Sequence, residues 1–353
     1  MEQRPAADTA GTLFDPHRHG DEDTADGVLD FAVNVRPGPQ PFLADALRDR
    51  IGDLGAYPSS TDIAAATRAV ADLHGREPSN ILLLGGAAEG FELLAKLGAG
   101  HAALIAPSFT EPERVLRAAG IRITNVVLQE PWGLEGTNIP DDADLVIIGN
   151  PTNPTSVLHA RTQILALRRP GRIIVVDEAF ADLTYDAAGD VVEPESLASD
   201  SLPDIIVIRS ITKTFALAGL RAGYLLADSS IIGTLDQGRR HWPLGTLSLV
   251  ALIECLGPQG QDFARREART VVGDREYLLS RLAEIDVRPA AVPSAPYVLI
   301  KVDDALTLKA RLRERGIGIR SCANFVGLGP DYLRIAVRPP ASTDALIDAM
   351  KNL

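Results

Sequence analysis

The chain has 353 residues, 46% apolar and 23% charged, a composition that suits a globular enzyme with room for two domains. Its 47 acidic and 35 basic residues give a net charge of −12, which weighs against nucleic acid or an anionic membrane as main partner but leaves room for a local basic pocket. Cys255 and Cys322 make neither a disulfide framework nor a zinc pattern, so no metal is expected, and a reducing cytoplasm is the expected location.

Residues 1–26 are polar and rich in turn formers, and they read as a partly disordered arm. They contain no apolar stretch of the kind a signal peptide needs, and nothing later approaches the roughly 20 apolar residues of a membrane span. From 27 to 243 the chain alternates apolar runs with helical patterns. The runs are HAALIAP (101–107), IRITNVVL (121–128), DLVIIGN (144–150), RIIVVDE (172–178), DIIVIRS (204–210) and RAGYLLAD (221–228), with helices expected at 90–98 and 161–169. Such Val/Ile/Leu runs predict a mostly parallel sheet covered on both faces, with ligands bound beyond its carboxyl ends.

Four stations follow such runs. ILLLGGAAEGFELLAKL (81–97) places Gly86, Ala87 and Ala88 where a backbone can approach a phosphate, although most such junctions are tight turns. It also looks like a degraded dinucleotide fingerprint, but the full G-x-G-x-x-G is absent. NPTNPTS (150–156) makes a rigid loop that could aim an amide, or simply a turn. VVDEAF (175–180) ends in two acids that want a cation: a protonated ring nitrogen, Mg²⁺ or an arginine. RSITKTFALAGLRAGYLL (209–226) sets Lys213 among hydroxyls and apolar residues, with Arg221 eight positions on. A desolvated lysine there is a nucleophile toward carbonyls, and the arginine and hydroxyls would hold an anion. A phosphate, a ring hydroxyl, a basic ring nitrogen and an aldehyde together describe pyridoxal 5′-phosphate.

From about 244 the pattern becomes a long charged helix (259–284), then strand (294–302), helix (305–316), strand (332–338) and a last helix (342–352). This predicts a smaller α+β domain over 244–353, with a hinge at 243–245 and residues 27–40 packing toward it.

SITKTFALAGLRAGY resembles the Schiff-base signature of the fold-type I, class I/II aminotransferases, and NPTNPTS, DEAF and GGAAEG stand in that family's order over roughly 27–350. The resemblance implies an α/β fold with a seven-stranded-type sheet. It implies Lys213 as Schiff-base lysine and proton shuttle, Asp177 at the ring nitrogen, Asn153 on the ring 3-oxygen and Phe109 stacked on the ring. Gly86, Ala87, Ala88, Ser210, Thr212 and Arg221 would cradle the phosphate. Tyr57 would reach the neighbouring subunit's cofactor in a homodimer, and Arg334 and Asn34 would face substrate. Phe180 stands where many relatives have tyrosine, and Ala88 where histidinol-phosphate aminotransferases usually have aspartate.

GIGIRSCANFVGLGPDYLRIAVR (316–338) and His19-Gly20 look more like the threonine-phosphate decarboxylases of cobalamin biosynthesis, with Asp21 departing from the His-Gly-Gly pattern. The leading expectation is an enzyme of that group acting on a small phosphorylated amino compound held by His19, Arg320, Arg334 and Arg338. The alternative is histidinol-phosphate aminotransferase, working with 2-oxoglutarate. A pyridoxal-phosphate-binding protein without turnover is a third reading. A transcription regulator would need a basic DNA-binding segment before the fold, where this chain is acidic.

Overall fold

The computed structural model describes residues 27–36 and 38–353. Strand β1 (Leu29–Phe31) comes first, followed by helix α1 (Pro41–Asp49) and helix α2 (Ser60–His74). Strands β2 (Ile81–Leu84), β3 (His101–Ala106), β4 (Arg122–Val127), β5 (Leu145–Gly149) and β6 (Ile173–Asp177) follow, with α3 (Ala87–Leu93), α4 (Glu111–Ala118) and α5 (Arg161–Leu165) between them. A short hairpin, β7 (Tyr185–Asp186) and β8 (Val191–Val192), precedes β9 (Ile205–Ser210) and β10 (Gly223–Leu226).

Seven of these strands form one sheet in the order β2-β10-β9-β6-β5-β3-β4. Only β10 runs against its neighbours, β2 and β9. The sheet is the mostly parallel one its Val/Ile/Leu runs predict, because both of its faces are covered. Ile81, Leu83, Val146 and Ile148 enter one core, while Leu82, Leu84, Leu145 and Ile147 enter the other. Helices α1 and α2 close the first core. The second is closed by α3, α4 and α6 (Ser229–Asp236).

The smaller sheet is four-stranded, β1-β12-β13-β11, built from β11 (Tyr297–Lys301), β12 (Ile317–Ser321), β13 (Tyr332–Ala336) and the early strand β1, which pairs parallel with β12. Its core joins Phe31 to Val298, Ile319 and Ile335, and to Leu312 of α9 (Ala305–Glu314) and Leu346 of α10 (Pro340–Lys351).

The cores do not divide at 243/244. Helix α7 (Thr246–Leu256), assigned from sequence to the small domain, buries Leu249, Ala251, Leu252 and Cys255 in the large-sheet core. Its TLSLVALIECL is apolar almost all round, the pattern of a fully buried helix. The following helix α8 (Pro258–Ala283) bridges the two: Phe263 lies in the large core, Leu278 and Leu282 in the small one. Among the described residues no helix is long and apolar enough to cross a membrane.

Candidate active site

Strand register builds the site. Asp177 ends β6 opposite Gly149 of β5 and Ile208 of β9, while Ser210 ends β9 opposite Gly223, which in turn faces Leu84. Four stations that are far apart in sequence therefore reach one edge of the sheet. There they border a cavity of about 560 Å³ with Lys213, Asp177, Asn153, Phe109, Arg221 and Arg334 on its walls.

Asp177 supplies the buried acid. Burial pushes its carboxyl up to about 6, against the backbone N–H of Ala179, which donates to Oδ1 at 3.1 Å. A carboxylate held there gains from a cationic partner. Lys213 Nζ lies 5.8 Å from the ring centroid of Phe180, whose ring meets Tyr297 edge-on at 5.1 Å.

The residues expected to hold an anion come together by close backbone approach. Gly86 has φ 90°, and a Cβ there would stand 2.8 Å from Arg221 Nη2, so only glycine lets the guanidinium lie against this turn. Arg221 is itself left-handed at φ 52°, a conformation rare outside glycine. Ser210 Oγ accepts from the Thr212 N–H at 3.1 Å, which closes the loop between them. Ala87, Ala88, Ser210 and Thr212 border the same cavity.

Arg334, on β13 of the small sheet, reaches across to the large sheet. Its Nη1 donates to Asn153 Oδ1 and its Nη2 to the Ala32 carbonyl at 2.7 Å. With its amide oxygen turned inward, Asn34 accepts from Arg334 Nη1 and Nε at 3.2 and 3.3 Å. The guanidinium lies 5.4 Å from the Tyr297 ring centroid, and the Tyr297 hydroxyl donates to the Thr152 carbonyl at 3.1 Å.

Other expected site residues lie elsewhere. Arg320 is buried beside the cavity without bordering it; it donates to Asn324 at 3.0 Å and lies over Phe325. Arg338 donates to the carbonyls of Asp30 (2.8 Å) and Val33 (2.6 Å), so it fastens the first strand to the small domain instead of lining the cavity. Tyr57 is 75% exposed, stacked on Trp242 at 4.2 Å, and does not border its own chain's cavity. His19 lies outside the described residues. Ser108 and Glu111 also border the cavity. Ser108 adjoins Phe109 just after β3, so its position after a strand end was the available signal. No metal-binding group of three acid, histidine or cysteine side chains occurs among the described residues.

The family description "Aminotransferase class I and II" matches residues 26–350. The chain belongs to the class I and II aminotransferases. It is a pyridoxal 5′-phosphate enzyme of the aminotransferase type. It is 49% identical over 322 residues, 91% of this chain and 86% of the relative, to a histidinol-phosphate aminotransferase of Mycobacterium tuberculosis strain H37Rv. It is 30% identical over 342 residues, 93% of this chain and 92% of the relative, to the threonine-phosphate decarboxylase of Salmonella typhimurium strain LT2. Among solved structures it is similar to the histidinol-phosphate aminotransferase of Clostridium acetobutylicum, with a TM-score of 0.82, 25% identity and coverage of 92% of this chain and 98% of the other.

Proposed function

We propose that this enzyme transaminates a small phosphorylated amine, histidinol phosphate before others, with 2-oxoglutarate as amino acceptor. The observation that carries the reading is that Lys213, the buried acid Asp177 and the bridging Arg334 border one cavity. The choice of substrate rests on the 49% identity to the mycobacterial histidinol-phosphate aminotransferase. It reverses the order expected from sequence. Of the arginines behind the decarboxylase reading, Arg320 and Arg338 do not border the cavity, and Arg338 fastens the first strand to the small domain.

Pyridoxal phosphate, when bound, supplies an electron sink for the charge left on the substrate carbon. The chain's own groups do the rest. Asp177 keeps a proton on the ring nitrogen. Asn153 has its Oδ1 committed to Arg334, which leaves Nδ2 to donate to the ring oxygen. Phe180 fills its place without a hydroxyl, so that oxygen receives no second donor from position 180. Phe109, which borders the cavity, would stack on the ring. Gly86, Ala87, Ala88, Ser210, Thr212 and Arg221 hold the phosphate. Lys213 would carry the cofactor and move the proton at the substrate carbon.

Arg334, oriented by Asn34, receives the substrate's anion. A planar guanidinium suits a phosphate in one half-reaction and the carboxylate of the 2-oxo acid in the other. The working form is a homodimer in which Tyr57 of each copy serves the neighbouring cavity.

The test supplies histidinol phosphate with and without 2-oxoglutarate, and threonine phosphate alone. Amine transfer that requires the 2-oxo acid supports the reading. Release of CO2 and aminopropanol phosphate from threonine phosphate would favour the decarboxylase instead.

A further inference from the structure

Strand ends that carry Asp177 and Ser210 into the cofactor cavity send their neighbours the other way, because side chains alternate across a strand. Glu178 and Arg209 meet behind the cavity floor. Arg209 Nη1 donates to Glu178 Oε2 at 2.9 Å, and its two Nη groups grip both oxygens of Glu193 at 2.8 Å. Glu178 also accepts from Ser196 Oγ at 2.6 Å and from the Leu197 N–H at 2.7 Å. The Arg209 and Glu178 side chains are 4% and 0% exposed.

This cluster does not rest on solid packing. A second cavity of about 320 Å³ lies behind it, bordered by Arg209, Glu193, Asp182 and His74, and Ser210 borders both cavities. At Ser210 the floor is a shared wall with space on either side, so polar ties must hold it. One tie is Thr214, next to Lys213, whose Oγ1 donates to Asp182 Oδ2 at 2.6 Å. The others pass through Arg209. Glu193 makes its two-pronged contact from a left-handed backbone, φ 57°, a conformation disfavoured for a non-glycine residue.

We propose that Arg209 is a positioning residue. Through Glu178 it ties the strand end bearing Asp177 to the loop bearing Ser210, Thr212 and Lys213, while the two-pronged contact of Glu193, on the segment after β8, fixes the guanidinium that makes this tie, and so the pair sets the distance between the ring-nitrogen acid and the phosphate-and-lysine loop. The proposal rests on the pyridoxal-phosphate reading of this site. Small errors in that distance are expensive, since catalysis depends on held geometry.

Arg209→Met would leave two buried carboxylates facing each other and could fail to fold, so the informative variant is Glu193→Ala. It removes the two-pronged arm and leaves Arg209 paired with Glu178. The measurements are the dissociation constant for pyridoxal phosphate, the visible spectrum of the bound cofactor, kcat and KM, and the melting midpoint without cofactor. Expected are a cofactor affinity about ten-fold weaker, a shifted spectrum, and a kcat that falls while KM holds. The cofactor-free midpoint should also fall, because a buried guanidinium loses its two-pronged partner, and Glu193→Gln, which keeps one acceptor for Arg209, should lose less of the affinity than Glu193→Ala. Parental affinity and spectrum in Glu193→Ala would overturn the proposal, as would an affinity loss no larger than the loss of cofactor-free stability implies. A parent protein that stays colourless with added cofactor would instead sink the reading of the site.

Discussion

Arg334 and Asn153, 181 residues apart, share a hydrogen bond that crosses from the small sheet to the large one. The group proposed to receive the substrate's anion is therefore tied to the amide proposed to address the cofactor ring, and the same guanidinium also holds the Ala32 carbonyl. Lysine cannot reproduce this fork. In Arg334→Lys, kcat/KM should fall by about 100-fold, the equivalent of two lost charge-assisted hydrogen bonds. KM should rise for the phosphorylated amine and for the 2-oxo acid alike. Steady-state kinetics with each substrate varied in turn checks this. A rise for only one of the two would show that the anions bind at separate places.

Lys213→Ala should still bind pyridoxal phosphate through the phosphate cradle, because Arg221 and the turn at Gly86 do not depend on the lysine. Covalent attachment should be lost, so cofactor should dialyse away and turnover should drop by about 10⁴-fold. Absorbance after dialysis and a single-turnover assay read the two effects separately.

Asp177→Asn divides stability from function. Burial raises the Asp177 carboxyl to about 6, so between about pH 4 and 6 the folded cofactor-free protein binds protons that the unfolded chain releases. Stability from this group therefore falls as pH rises through that window. Asparagine escapes the penalty. Urea unfolding without cofactor should show variant and parent similar near pH 4, with the variant ahead by roughly 3 kcal/mol above pH 6.5. Its kcat should fall by about 10³-fold, because nothing then holds the ring nitrogen's proton. A variant no more stable than the parent at pH 7 would mean that a protein cation already pairs with Asp177.

Much of this site was legible locally. Lys213, Asp177, Ser210 and Asn153 each follow an apolar run, and a parallel sheet delivers all such ends to one edge. What could not be read is which partner a side chain finds after the chain folds. Arg320 faces Arg334 in strand register, yet its guanidinium turns to Asn324 and Phe325. Arg338 spends its donors on Asp30 and Val33, carbonyls about 300 residues away that no local pattern announces. The core that the helix after residue 245 joins was not legible for a different reason. The buried helix Thr246–Leu256 follows Pro243 and Gly245, and such residues mark a break without saying which core the next helix joins.

Gly223 tests the cradle from behind. A Cβ there would lie 2.5 Å from the Arg209 carbonyl and 3.3 Å from the backbone N of Ala87, in the turn proposed to hold the phosphate. Gly223→Ala must push its strand off the neighbouring strand, at a cost of about 2 kcal/mol, and tilt Ala87 away from the anion. Melting midpoint and cofactor affinity should both fall. Gly219→Ala, with nothing within 4 Å of its added methyl, should change neither.

Tyr57 and Trp242 stack on each other while 75% and 49% exposed, and Ile51 and Leu54 nearby are more than half exposed. Such an apolar surface fits a second copy of the chain. If Tyr57 serves the neighbour's cavity, Tyr57→Ala and Lys213→Ala chains should each be poor enzymes and complement when mixed. A mixed dimer holds one intact cavity, with Lys213 from the first variant and Tyr57 from the second. The other cavity lacks both. Random reassortment makes half the dimers mixed, so activity should recover to roughly a quarter of the parent's. Recovery should require time for subunit exchange, readable by native mass spectrometry. No recovery despite proven exchange would place Tyr57 outside the shared site and leave the exposed stack as a contact of assembly alone.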